Sequence, residues 1–215
     1  MARVVFDEDF GFRAALEDGF EVVRAEWSRL PANEWKDWPQ ASAYAGEWKV
    51  FGFRIAGHDV ARNRRRCPAT AALLDAIPGL FTAGYSRLGP RTVLPPHRGE
   101  RSDMLRCHLG LQIPEECAIV VEGERYRWHE GETFVFDDTA EHEAWNRSDR
   151  WKVVLLIDFA RPSSLPTPRR SPPAQDARDA GFYADLFPEW FASAATDASP
   201  ERFRHAPNDT GPSGR

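Results

Sequence analysis

The sequence predicts a mostly β domain, an antiparallel sandwich or barrel, and three observations carry that expectation. From residue 81 onward, short runs rich in β-branched and aromatic residues recur at intervals of about ten residues, with Gly, Pro, Asp or Asn between them. The run Cys117 to Trp128 (CAIVVEGERYRW) carries a hairpin signal around Gly123, and WHEGETF supplies a further turn at Gly131. His97, His108 and His142 all fall within residues 95–158, at or near the ends of such runs. Imidazole suits iron, copper, nickel or zinc, so two histidines joined by strands form half of a non-haem metal site.

In chain order, residues 7–30 repeat Phe12, Leu16, Phe20, Val23 and Trp27 at spacings of three or four, which predicts a helix stopped by Pro31. Residues 33–47 read as a loop packed by its aromatics. Trp48 to His58 (WKVFGFRIAGH) alternates as a first strand closed by a Gly turn. The basic run ARNRRR (61–66) reads as a solvated loop. CPATAALLDAIPGL predicts a short helix that begins at Pro68 and stops at Pro78-Gly79. Candidate strands follow: FTAGYSRL, GPRTVLPPH, RCHLGLQI, the hairpin above, ETFVFDD, HEAWN and WKVVLLIDF.

At 215 residues and 24.4 kDa the chain is long enough for one domain with appendages, and a hydrophobic fraction of 42% is enough for a core. A net charge of -5 gives no reason to expect nucleic acid or an anionic membrane as partner. Three cysteines without CxxC spacing suggest neither a disulfide framework nor a zinc knuckle, and Cys107 is expected to be buried and inert. The acidic start reads as no signal peptide, and no apolar run is long enough to span a bilayer. The expectation is a soluble, cytoplasmic protein.

PPHRG, LRCHLGLQIP and the W-x-x-G-E opening of WHEGETFVFDDTAEHEAWN together resemble the aspartyl/asparaginyl β-hydroxylase family of Fe(II)- and 2-oxoglutarate-dependent oxygenases. The similarity extends upstream through WKVFGF, RCPATAALL and YSRLGPRTVLPPH. The resemblance implies a double-stranded β-helix (jelly-roll, cupin-like) over residues 1–162, with flanking N-terminal helices. Beyond it a Pro-rich linker is expected at 163–177, a C-terminal helix at 178–196 and a disordered tail at 197–215. It further implies hydroxylation of an unactivated carbon with Fe(II), 2-oxoglutarate and O₂. That carbon would be the β-carbon of an aspartyl or asparaginyl residue, or belong to a related small molecule, amino acid or peptide.

Carried over by position, His97 and His142 are the implied iron ligands. Where the wider class has H-x-D or H-x-E, this chain has Gly99, as these hydroxylases often do. Asp103 and Asp138 are the alternatives for a third ligand, although Asp138 reads better as a turn cap that fixes the strand leading to His142. Ser86, Arg106 and His108 are the implied 2-oxoglutarate contacts. The family's distal anchor, an Arg ten residues after the second His, is here Lys152, which keeps the charge and loses the bidentate fork. Arg150 is expected to share that role by strand alternation. Trp128, Trp145 and Trp151 read as packing residues, and His58 and His129 as solvated. Two other readings stay open: a cupin-like metal enzyme without 2-oxoglutarate, and a binding module without turnover.

Overall fold

The computed structural model describes residues 3–165 and 187–191. The strands are β1 (Val5–Phe6), β2 (Lys36–Asp37), β3 (Trp48–Ile55), β4 (His58–Asp59), β5 (Leu80–Leu88), β6 (Thr92–His97), β7 (Met104–Gln112), β8 (Cys117–Val121), β9 (Glu124–Tyr126), β10 (Thr133–Phe136), β11 (His142–Asn146) and β12 (Lys152–Ala160). The helices are α1 (Arg13–Asp18), α2 (Phe20–Ser28), α3 (Ala61–Arg66), α4 (Pro68–Asp75) and α5 (Pro188–Phe191). The linker, C-terminal helix and tail expected from 163 onward lie outside the described residues, except for 163–165 and the stretch that contains α5.

All strand pairs are antiparallel. One sheet runs β1-β10-β7-β12-β5-β3-β2 with β4 beside β3, and the other runs β6-β11-β8-β9. β12 sits in the middle of the larger sheet, paired with β5 on one side and β7 on the other. That position explains its unbroken apolar run VVLLI, because both faces are covered. Val153, Leu155, Ile157 and Phe159 join a core with Phe12, just before α1, and with Leu16 and Val23 of the helices, while Val154 and Leu156 join a second core with Ile119, Val121 and Ala144 of the smaller sheet. The alternation of β12 therefore aims Lys152 and Asp158 between the sheets as well.

The helical pattern over 7–30 resolves into two helices that meet at Gly19. A side chain at that position would press on Leu73 of α4. The hairpin expected at Gly123 is a two-residue turn between β8 and β9. Glu122 and Gly123 both have positive φ, 48° and 84°, as the twist of a tight hairpin requires.

The basic run 61–66, expected as a solvated loop, is instead the helix α3. Asn63 is buried and donates Nδ2 to Gly52 O at 2.8 Å, and Arg62 grips Glu34 through two hydrogen bonds of 2.7 and 2.9 Å. Those tertiary partners stabilise six residues that lack an apolar stripe. Among the described residues no helix is long and apolar enough to cross a membrane. Cys67, Cys107 and Cys117 are buried and unbridged, and burial pushes the Cys107 thiol up to about 12.

Candidate functional site

β6 is the edge strand of the smaller sheet, which lets it carry Pro95 and Pro96, residues with no N–H to give a ladder. Its register with β11, which shifts between His142 and Ala144, sets His142 opposite His97, and the two imidazole centroids lie 4.1 Å apart. His97 Nδ1 is 2.8 Å from Pro95 O, and His142 Nδ1 is 2.9 Å from Ala140 O. A carbonyl only accepts, so each Nδ1 carries the proton and each Nε2 keeps its lone pair, the form in which imidazole binds a metal. Burial, and next the neighbouring His97, pulls the His142 pKa down to about 3, so that ring is neutral at ordinary pH.

Asp138 Oδ1 lies 3.4 Å from His142 Nε2 and accepts Arg106 Nη1 at 2.5 Å. The carboxylate occupies space released by Gly99: a β-carbon there would overlap Asp138 Oδ2, and the Gly99 N–H donates to Asp138 O at 2.7 Å. The turn-capping role expected of Asp138 belongs instead to Asp137. Its Oδ1 accepts from Thr139 N and Oγ1 at 3.0 and 2.7 Å, and its Oδ2 accepts from Arg161 Nη2 at 2.6 Å. Asp103 is exposed and paired with Arg101. Among the described residues no group of three or more His, Cys, Asp or Glu is arranged to hold a metal ion, and what the strands bring together is two imidazoles with one carboxylate beside them.

Deeper between the sheets, Ser86, His108 and Lys152 line one narrow cavity with His97, His142 and Arg106. Trp128 Nε1 can only donate, and it is 3.1 Å from His108 Nδ1. The proton of His108 is therefore on Nε2, which is buried and has no partner among the described residues. Burial, followed by the charges of Lys152 and Arg106, holds the His108 pKa well below its usual value. Lys152 is 3% exposed, and its Nζ sits 3.7 Å above the centroid of the Trp128 ring. Burial lowers its ammonium pKa to about 7. Ser86 Oγ accepts Trp48 Nε1 at 2.9 Å. A cation, an orphaned N–H and a hydroxyl thus converge on one space. An unmet buried N–H costs about 1–3 kcal/mol, and an anionic ligand would relieve it.

Arg106 forms the wall between this cavity and a larger one. β12 places Asp158 directly opposite it, and Arg106 binds that carboxylate through Nε at 2.7 Å and Nη2 at 3.0 Å. Arg150 does not join the site. It precedes the first residue of β12, is exposed, and lines a surface depression beside α2. Asn146 fixes this arrangement by donating Nδ2 to Arg150 O, Leu88 O and Gly89 O. Trp145 and Trp151 pack under arginine side chains, and His58 and His129 are exposed. Trp48, Trp128, Asp137 and Asp158 are the site residues that sequence reasoning missed. Of these Asp158 left a signal in its even spacing from Lys152 along one strand, and Trp128 in opening the W-x-x-G-E run.

The family model described as aspartyl/asparaginyl beta-hydroxylase matches residues 17–162. The ornithine lipid ester-linked acyl 2-hydroxylase of Rhizobium tropici is 37% identical over 168 residues, covering 73% of this chain and 60% of that protein. The human aspartyl/asparaginyl beta-hydroxylase is 36% identical over 140 residues, covering 60% of this chain and 18% of that protein. The chain therefore matches only part of the length of either relative. Among solved structures, a protein described as a predicted oxalate decarboxylase from Thermotoga maritima aligns with a TM-score of 0.42 and 11% identity, over 61% of this chain and 98% of that one.

Proposed function

The chain belongs to the aspartyl/asparaginyl β-hydroxylase family, and from that premise we propose that it is an Fe(II)- and 2-oxoglutarate-dependent dioxygenase that hydroxylates an unactivated carbon. When bound, iron with 2-oxoglutarate and O₂ supplies the oxidation: one oxygen atom enters the substrate C–H bond as hydroxyl, the other enters succinate, and CO₂ leaves.

His97 and His142 hold the metal through Nε2, their rings fixed by the Nδ1 bonds to Pro95 O and Ala140 O. Asp138 stands beside them as the nearby carboxylate, reaching past Gly99, with Arg106 neutralising it. His108 Nε2–H, Lys152 and Ser86 receive the carboxylates of 2-oxoglutarate, with Arg106 at the boundary of that cavity. Trp48 and Trp128 orient Ser86 and His108 and exclude water from the inner cavity.

The observation that carries the proposal is the buried, acceptor-less His108 Nε2 beside the buried Lys152, in the same cavity as the paired histidines. A cupin-like metal enzyme that does not use 2-oxoglutarate would give neither group a reason to be there.

Anaerobic titration of the purified chain with Fe(II) and 2-oxoglutarate is the test. The expected result is a visible charge-transfer band of the chelate, abolished by His97→Ala and by His142→Ala. Iron binding that 2-oxoglutarate leaves colourless would overturn the proposal in favour of a metal protein of another kind.

A further inference from the structure

Trp48 and Trp128 are the two indoles that line the inner cavity with His97 and His142. Both are buried, yet their surroundings differ. Trp128 has His108 and the Lys152 ammonium against its ring. Beyond His108 the next rings are Phe136 and then Phe134, and a phenyl ring is far harder to oxidise than an indole or a phenol. Trp48 instead stacks on Trp38, with the ring centroids 4.4 Å apart and the planes 10° from parallel. Tyr44 meets the Trp48 ring edge-on at 5.8 Å. Its hydroxyl donates to Trp38 O at 3.3 Å, which ties the two outer residues together. Trp38 and Tyr44 are half-buried, so each shows part of its ring to solvent. Trp48 also lines the outer cavity, again with His97 and now with Trp38. A run of oxidisable rings in contact therefore leads from the cavities of the paired histidines to the surface.

The oxygenase reading supplies the chemistry that such a run would serve. An oxidant able to break an unactivated C–H bond can also take an electron from an indole. When 2-oxoglutarate and O₂ react with no substrate C–H in reach, two oxidising equivalents and one oxygen atom stay at the metal. Two electrons and two protons discharge them, and the oxygen atom leaves as water. Without that supply the side chains lining the cavity are oxidised instead.

Resting on the oxygenase reading, we propose that Trp48, Trp38 and Tyr44 form an electron relay that protects the site during turnover without substrate. Trp48 gives an electron inward, and Trp38 or Tyr44 refills it across the ring contact. A small one-electron reductant in solution, of the ascorbate class, then re-reduces the outer ring. Two molecules of the reductant supply both electrons, and each releases one proton, which accounts for the two protons in the water formed.

The iron-loaded full chain, incubated with 2-oxoglutarate in air and without substrate, tests the relay, with oxidised residues mapped by peptide mass spectrometry. In the absence of ascorbate, added oxygen is expected at Trp48, Trp38 and Tyr44, with Trp128 spared although it lines the same cavity. Ascorbate should remove that labelling. Trp38→Phe combined with Tyr44→Phe keeps the ring packing and breaks the relay, so ascorbate should no longer protect and oxidation at Trp48 should rise several-fold. Labelling that strikes Trp48 and Trp128 alike and leaves Trp38 and Tyr44 clean overturns the proposal, because it marks damage by proximity alone. Labelling spread evenly over the other tryptophans overturns it too, as does ascorbate protection that survives in the double variant. The wild-type map decides by itself if the double variant does not fold. If the iron–2-oxoglutarate band forms but no succinate accumulates without substrate, there is nothing to discharge, and the relay falls while the oxygenase stands. If the band never forms, the oxygenase reading itself falls and takes the relay with it.

Discussion

Replacing Lys152 by Met should make the folded protein more stable and its hold on 2-oxoglutarate weaker. The ammonium is fully inside the protein, and burial lowers its pKa from 10.5 to about 7. That drop corresponds to about 5 kcal/mol against the charged form, and to about 4 kcal/mol at pH 7, where half the lysines have released their proton. The Trp128 face 3.7 Å away returns about 2 kcal/mol through its attraction for the cation. Methionine keeps the shape without the charge, so the net gain is about 2 kcal/mol, or a rise in Tm of about 4–8 °C for a domain of this size.

The sign follows from which state binds the proton. Between about 7 and 10.5 the unfolded chain holds a proton that the fold has lost. The penalty on the wild type is therefore complete below pH 7 and fades as the pH rises, so the two melting curves should converge in alkali. Loss of one charge-assisted contact should weaken 2-oxoglutarate by about 10–100-fold. Calorimetry across pH and the anaerobic iron titration read the two effects separately. A variant that melts earlier while binding 2-oxoglutarate as tightly as the wild type would refute the reasoning, and would make Lys152 a structural residue.

Three further outcomes follow from the same geometry. Gly99→Ala puts a methyl group where Asp138 Oδ2 stands, so it should displace that carboxylate and weaken Fe(II) binding about tenfold or more while leaving the far-UV spectrum intact; unchanged affinity in a metal titration would separate Asp138 from the metal. Asp137→Asn breaks a buried pair with Arg161 in which both side chains are 5% exposed, and should cost about 3–5 kcal/mol, read by denaturant unfolding; a loss below about 1 kcal/mol would show that the Thr139 turn does not depend on it. His142, with its pKa lowered to about 3, and His108, also well below its usual value, stay neutral in the fold but take protons when unfolded. Stability should therefore fall as pH drops from 6.5 toward 3, by about 1.4 kcal/mol per pH unit for His142 with His108 acting in the same direction, and a Tm that holds steady from pH 7 to 5 would contradict this.

Strand spacing, alternation and turn residues by themselves determined that the chain is an antiparallel β structure and where its hairpin at Gly123 turns. Those are properties of local periodicity, and period 2 against 3.6 survives in a linear string. The motif around His97 and His142 likewise announced the paired imidazoles before any register was known. Only the tertiary structure decided what faces what. Lys152 points inward and Arg150 outward because β12 starts at Lys152 and Asn146 ties off the turn before it. Asp137 takes the turn-capping role that the sequence assigned to Asp138, and this leaves Asp138 to fill the gap beside Gly99. Residues 61–66 are helical because Glu34 and Gly52 O receive their polar side chains. Arg106 meets Asp158 across 52 residues of sequence because the register of β7 on β12 puts them opposite each other. Such pairings depend on register between distant strands, and a one-residue slip would undo them while leaving every local pattern unchanged.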